Sequence, residues 1–191
     1  SPTDWITCIS GNELARQAKN VRKHRPSKKL KKGFVEHANR ATTMAGYAKD
    51  NGHQLAFYFH DTDKCDFDDL HQSITLGFDG VDDVQGIPMI PKPTSEAWLI
   101  CGRKSDPYAH CATLETQLSG NDAASAQNAP KKVLGQLLGL EAGAEPTTEQ
   151  QYAEAESVDV TRINMPSYNQ FKTDLTNAIE VICGHGTART L

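Results

Sequence analysis

The feature that most constrains this chain is an apolar run, Gln54-Leu-Ala-Phe-Tyr-Phe59, that stops abruptly in His60-Asp61-Thr62-Asp63. A continuous run of this kind predicts a strand buried on both faces, as in parallel sheets with helices on either side. In open α/β sheets, ligand sites form outside the carboxyl ends of the strands, which is where Asp61 and Asp63 fall. Two residues apart on an extended chain, the two carboxylates point the same way. They repel unless a cation neutralises them or one keeps its proton. Mg²⁺ takes one or two protein carboxylates, keeps several waters and borrows further ligands from substrate phosphates. Such a corner suits phosphoryl or phosphodiester chemistry. The plainer alternative is an Asx-rich turn after a strand.

The surrounding pattern predicts an α/β domain. Trp5-Ile-Thr-Cys-Ile-Ser10 reads as a strand bounded by Gly11, and Glu13 to about Lys23 as a helix ended by Pro26. Phe34, Ala38, Ala41, Ala45 and Ala48 form one apolar helical stripe, closed at Asn51 or Gly52 in a left-handed cap. After an irregular acidic stretch, Val84–Ile90 reads as a strand near an edge, because Pro88 cannot donate to a ladder. Pro91-Lys-Pro93 then launches a helix with Thr94 or Ser95 as N-cap and Glu96 in its first turn. Residues 119–129 are polar and small, a loop. Pro130 fits the first position of a helix carrying Val133, Leu134, Leu137 and Leu138, ended by Gly139. Residues 141–151 read as a second connector. A last helix begins near Ser167, uses Phe171, Leu175, Ala178, Ile179 and Ile182, and stops at Gly184. The expected organisation is one domain over residues 1–191, with an α/β core at about 5–103 and a helical part at about 104–191.

Charge is unevenly spread. The net charge is −4, yet residues 21–32 hold Arg22, Lys23, Arg25, Lys28, Lys29, Lys31 and Lys32 with no acid among them. Eight aspartates fall between 61 and 83. A basic strip on an acidic body suggests a polyanion such as nucleic acid handled at one edge; a solvated lysine-rich segment is the alternative. No apolar run is long enough to cross a bilayer, and no membrane partner is expected. Cys8, Cys65, Cys101, Cys111 and Cys183 are odd in number and scattered, which argues against a disulfide framework or zinc knot and for a reducing cytoplasm.

Other residues carry weaker signals. Glu96 should start its helix along the same sheet edge as Asp61 and Asp63, as a further ligand or simply as a carboxylate opposing the helix dipole. Lys131 and Lys132 open the Pro130 helix, where backbone N–H groups and ammonium charges can hold a phosphate; a plain solvated first turn is the commoner meaning of such lysines. His60 reads best as a strand-end histidine bonded to backbone, and Trp98 as a core anchor. His110-Cys111 lacks companion ligands at zinc spacing.

LAFYFHDTD at 55–63, IPMIPKPTSEAWLI at 87–100 and NAPKKVL at 128–134 together resemble the Toprim-fold proteins related to OLD nucleases. They are most similar to the small stand-alone Toprim proteins, including RloB-like groups of mobile and defence loci. The resemblance covers roughly residues 54–138. It implies a Rossmann-like, mostly parallel sheet flanked by helices, with additional C-terminal helices. It implies that Asp61 and Asp63 bind Mg²⁺ or Mn²⁺, that Glu96 is an additional acid of the site, and that Lys131 or Lys132 contacts the scissile phosphate. Toprim domains also carry an earlier glutamate, usually Glu-Gly after the first strand; here that region reads Ser10-Gly11-Asn12-Glu13. Either Ser10 stands in its place and Glu13 substitutes partially, or the 5–10 strand is the second one and the glutamate lies before Ser1.

Three functions follow as expectations. The first is a Mg²⁺- or Mn²⁺-dependent nuclease of DNA or RNA, with the basic strip on backbone phosphates and a role in defence against phage or mobile elements. The second is a degenerate Toprim module that binds nucleic acid or a protein partner, or pairs with its own copy. The third is a haloacid-dehalogenase-type phosphatase, which also places DxD after a buried strand but wants Thr or Val two residues later, where this chain has Cys65.

Overall fold

The computed structural model describes residues 6–17, 30–120 and 125–187. The protein is mixed α/β and mostly helical, with a two-stranded parallel sheet and C-terminal helices. In chain order the elements are α1 (Gly11–Gln17), α2 (Val35–Asp50), β1 (Leu55–Phe59), α3 (Phe67–Phe78), β2 (Gln85–Met89), α4 (Glu96–Arg103), α5 (Leu114–Gln117), α6 (Pro130–Leu137), α7 (Thr148–Ser157) and α8 (Pro166–Thr187). Two compact units divide the chain. One comprises residues 1–58, 68–88 and 177–191; the other comprises 59–67 and 89–176.

In the first unit, the alanine stripe of α2 does what its spacing predicts. Ala38, Ala41, Ala45 and Ala48 are all buried. Small side chains let α3 approach closely: a Cβ at Gly77 would collide with the Ala38 carbonyl oxygen and come within 2.7 Å of the Ala41 Cβ. Thr42 Oγ1 donates to the Gly77 carbonyl at 2.7 Å, sealing the same contact. Leu70, Ile74 and Phe78, four residues apart, form the buried stripe of α3. The α2 C-terminus closes as expected with Gly52 at φ +74°, a conformation that glycine adopts at no steric cost.

Several expectations are corrected here. Residues 6–10 form no strand, and Trp5 lies outside the described residues. The stretch after Asp66 is not irregular: it holds α3, the crossover that two parallel strands require. The β1 run is not buried on both faces. Ala56 and Tyr58 are buried, whereas Phe57 and Phe59 are 42% and 51% exposed, the alternation of a strand covered on one side.

The second unit has its own core, built around Trp98, Ile100, Leu134, Ile163, Met165 and Tyr168. Trp98 is the anchor its sequence suggested: its ring stands edge-on to Tyr168 at 5.0 Å, and its Nε1 donates to Ser167 Oγ at 3.1 Å. Glu115 accepts the Ser167 N–H at 2.7 Å, so a buried carboxylate closes the start of α8. Pro130 opens α6 and Gly139, at φ +76°, follows its end, both as expected. Three further readings change. The connector at 141–151 gives way to α7, started by a reciprocal Thr147–Gln150 capping box. Helix α8 runs through Gly184 to Thr187 instead of stopping there. Cys101 and Cys111 form a disulfide, against the expectation from their scatter, while Cys8, Cys65 and Cys183 are free and exposed. Among the described residues, no helix is long and apolar enough to cross a membrane.

The close α2–α3 contact makes a direct prediction. Gly77→Ala forces a methyl group against backbone, and should lower unfolding free energy by about 1–3 kcal/mol in urea denaturation. An unchanged midpoint would show that the two helices do not meet this tightly.

Candidate active site

The acidic corner lies within the second unit, and its shape is set by backbone hydrogen bonds that continue past the strands. His60 N–H donates to the Met89 carbonyl at 3.1 Å, Thr62 N–H to Pro91 at 3.0 Å, and Asp63 N–H to Pro93 at 3.1 Å. Thr62 is buried, and its Oγ1 also donates to the Pro93 carbonyl, at 3.2 Å. The segment 60–63 is thereby zipped to the segment 89–93 that leads into α4. The Lys92–Pro93 peptide bond is cis.

Asp61 faces the start of α4. Its Oδ1 accepts the Ser95 N–H at 2.9 Å, taking the capping role expected of the Thr94 or Ser95 side chain, neither of which caps the helix. Burial is the main force on Asp61 and raises its pKa to about 6; the nearby Glu96 and Asp63 carboxylates push the same way, while the Ser95 N–H and Lys131 oppose them. The expected residues Asp63, Glu96 and Lys131 therefore all act on Asp61, from three segments. Glu96 is buried at the first position of α4, and Lys131 is half-buried in the first turn of α6, which packs on α4.

Asp63 is held differently. Its backbone is left-handed, at φ +48°, a region that aspartate tolerates better than most residues. Its Oδ1 is buried and has no hydrogen-bond partner. A buried carboxylate oxygen without a partner is costly, and a cation would satisfy it. Ser119-Gly120 closes over this residue: a Cβ at Gly120 would stand 2.8 Å from the Asp63 carbonyl oxygen. That approach was not readable from a loop that looked merely polar and small; only the glycine hinted at it.

The donor set fits a hard divalent ion that needs few protein ligands. Among the described residues, no group of three or more His, Cys, Asp or Glu side chains is placed to hold a metal by itself. Mg²⁺ requires less, one or two carboxylates with water and substrate oxygens completing the shell. Asp61 and Asp63 would supply those carboxylates, and the orphaned Asp63 oxygen is the observation in favour.

The remaining expected residues fall elsewhere. Glu13 is exposed on α1 in the first unit, its N–H bonded to Ser10 Oγ at 3.2 Å. Lys132 is half-buried beside Lys131. Lys31 pairs with Asp69 at 2.5 Å, and Lys32 is exposed; Arg22, Lys23, Arg25, Lys28 and Lys29 lie outside the described residues. His60 Nδ1 lies 2.6 Å from the Asp61 carbonyl oxygen, the backbone-bonded histidine expected of a strand end. Comparison with known proteins finds no matching family model, curated protein or solved structure.

The Asp61 environment fixes a pH dependence. Its native pKa of about 6 lies above the ordinary 3.8, so the folded chain binds this proton more tightly than the unfolded chain. Stability from this group falls as pH rises from 3.8 to about 6, and the full cost remains above that. Asp61→Asn keeps an acceptor for Ser95 N–H and removes the charge. In metal-free buffer its Tm should match wild type below pH 3.8 and exceed it above about 6; a difference independent of pH would refute the assigned burial.

Proposed function

We propose that this chain is a Toprim-like, Mg²⁺- or Mn²⁺-dependent phosphodiesterase that cleaves DNA or RNA, acting in defence against phage or mobile elements. The supporting observation is the convergence of Asp61, Asp63, Glu96 and Lys131 on one buried corner, with the Asp63 Oδ1 left unpartnered. Asp61 and Asp63 would hold the cation; when bound, it would polarise the phosphorus centre and lower the pKa of water. Lys131 brings a cationic charge that acts on Asp61, and so the means to draw a phosphate to the carboxylates. Glu96, buried beside Asp61, raises the demand for positive charge and orients what binds there. The larger parallel sheet of a Toprim fold is part of this proposal, as is nucleic-acid contact by the strip from Arg22 to Lys32. Lys31 brings less to that contact, because Asp69 already neutralises it.

A second reading has its own support: a degenerate Toprim module that binds nucleic acid, a protein partner or a second copy without cutting. The absence of a three-ligand group among the described residues favours it, and Glu13 sits on an exposed helix surface. The DxD phosphatase has no observation of its own at the corner: the Ser95 N–H engages one Asp61 oxygen, which serves a metal ligand and a nucleophile alike. Cytoplasmic placement belongs to the proposal too, and the Cys101–Cys111 disulfide weighs against it.

Incubation of the purified chain with plasmid or RNA in Mg²⁺ or Mn²⁺ separates these readings. The nuclease reading expects cleavage abolished by chelator and reduced about 100-fold or more by Asp61→Ala, Asp63→Ala or Lys131→Ala, since several kcal/mol of transition-state stabilisation are lost. Binding that is salt-sensitive, with no cleavage in either metal, would favour the module. Hydrolysis of a small phosphomonoester alone would favour the phosphatase.

A further inference from the structure

Two buried hydroxyls on the segments that touch the acidic residues have no hydrogen-bond partner. Thr94 is fully buried, and its Oγ1 is unsatisfied. The residues on either side of it both bond to the corner: Pro93 through its carbonyl to Asp63 N–H and Thr62 Oγ1, Ser95 through its N–H to Asp61. Ser119 Oγ is likewise buried and unsatisfied, next to Gly120, which abuts the Asp63 backbone. The Ser119 N–H donates to the Asn128 carbonyl at 3.1 Å, so the base of this loop is pinned and its approach to Asp63 is fixed. With the Asp63 Oδ1, three unsatisfied oxygens thus belong to segments meeting at one place, where buried polar groups ordinarily find partners.

The chemistry of the three is complementary. An ionised carboxylate oxygen can only accept, and so suits a cation or a donor; a hydroxyl can donate as well as accept, and so suits an anionic oxygen. Lys131 adds a positive charge beside the same carboxylates. A ligand that satisfies all of them carries negative oxygens toward Thr94, Ser119 and Lys131 and shares a cation with Asp61 and Asp63. A metal-bound phosphate group has this pattern. We propose that Thr94 and Ser119 are phosphate-binding residues, donating hydrogen bonds to non-bridging oxygens of the substrate phosphate. Gly120 lets the segment that carries Ser119 approach the Asp63 backbone. This rests on the metal-dependent phosphate reading above and deepens it by naming donors that the acidic motif does not include.

The test separates metal binding from phosphate binding. Calorimetry on the full chain measures Mn²⁺ alone, then inorganic phosphate and a short 5′-phosphorylated oligonucleotide in saturating Mn²⁺. Thr94→Val and Ser119→Ala should leave Mn²⁺ affinity within about twofold of wild type and weaken both phosphate probes by roughly 10-fold each, the worth of a hydrogen bond to a charged group. Thr94→Ser should restore most of the loss, which a packing role for the Thr94 side chain would not predict. Should Thr94→Val fail to fold, Ser119→Ala and Thr94→Ser carry the test. Intact Mn²⁺ binding with phosphate affinity unchanged in Ser119→Ala and Thr94→Val overturns the hydroxyl assignment alone. Absence of Mn²⁺ binding in wild type, or Mn²⁺ binding unaffected by Asp61→Asn and Asp63→Asn, overturns the metal reading beneath it.

Discussion

The arrangement of the acidic corner depends on a short ladder of backbone hydrogen bonds that outlasts the strands. Phe59 and Met89 end β1 and β2, yet His60, Thr62 and Asp63 go on donating to Met89, Pro91 and Pro93. The two prolines accept without needing to donate, so they end the regular strand without ending the pairing. This ladder puts Asp61 against the N–H of Ser95 and therefore fixes where α4 begins. It also turns Asp63 into a left-handed conformation with one carboxylate oxygen buried.

From that constraint the electrostatics follow. A carboxylate withdrawn from water and placed beside two others is reluctant to ionise, and Asp61 shows it. A helix N-terminus and Lys131 answer part of that charge. The remainder is a standing demand for positive charge, which a proton on Asp61 meets only below about pH 6. Sites that bind cations and phosphates share this tension, because the same burial that makes the carboxylates costly also strengthens their grip on a counter-charge.

Much of the local structure was legible because it is written in short-range patterns. The alanine stripe of α2, the Pro130 and Gly139 limits of α6, and Glu96 in the first turn of α4 all follow from spacing within one element. Helix α3 was hidden by its acids, although Leu70, Ile74 and Phe78 carry its period and two parallel strands demand a crossover. Helix α7 was hidden for the opposite reason: it buries only Glu154 and has almost no apolar face, and its capping box is its main local signal. The strand expected at 5–10 failed over its described residues because β-branched composition is a tendency that tertiary context overrides. The Cys101–Cys111 bridge was unreadable from spacing, since a disulfide depends on where two Cα atoms come to rest, here 5.3 Å apart.

By itself, the sequence determined which chemical groups this protein has to work with and their order along the chain. A strand ends in two aspartates, a helix after two prolines begins with a glutamate, and a lysine pair follows Pro130. Those assignments rest on local propensity and periodicity, which a linear string contains. Only the tertiary structure decided that Asp63, Glu96 and Lys131 act on Asp61, and that Glu13 belongs to the other compact unit. It alone brought Gly120 onto the Asp63 backbone and left the Thr94, Ser119 and Asp63 oxygens buried without partners. The physical reason is that desolvation and Coulomb energy depend on distance and burial in space. Residues far apart in the chain acquire both only when backbone pairing and core packing have fixed their positions.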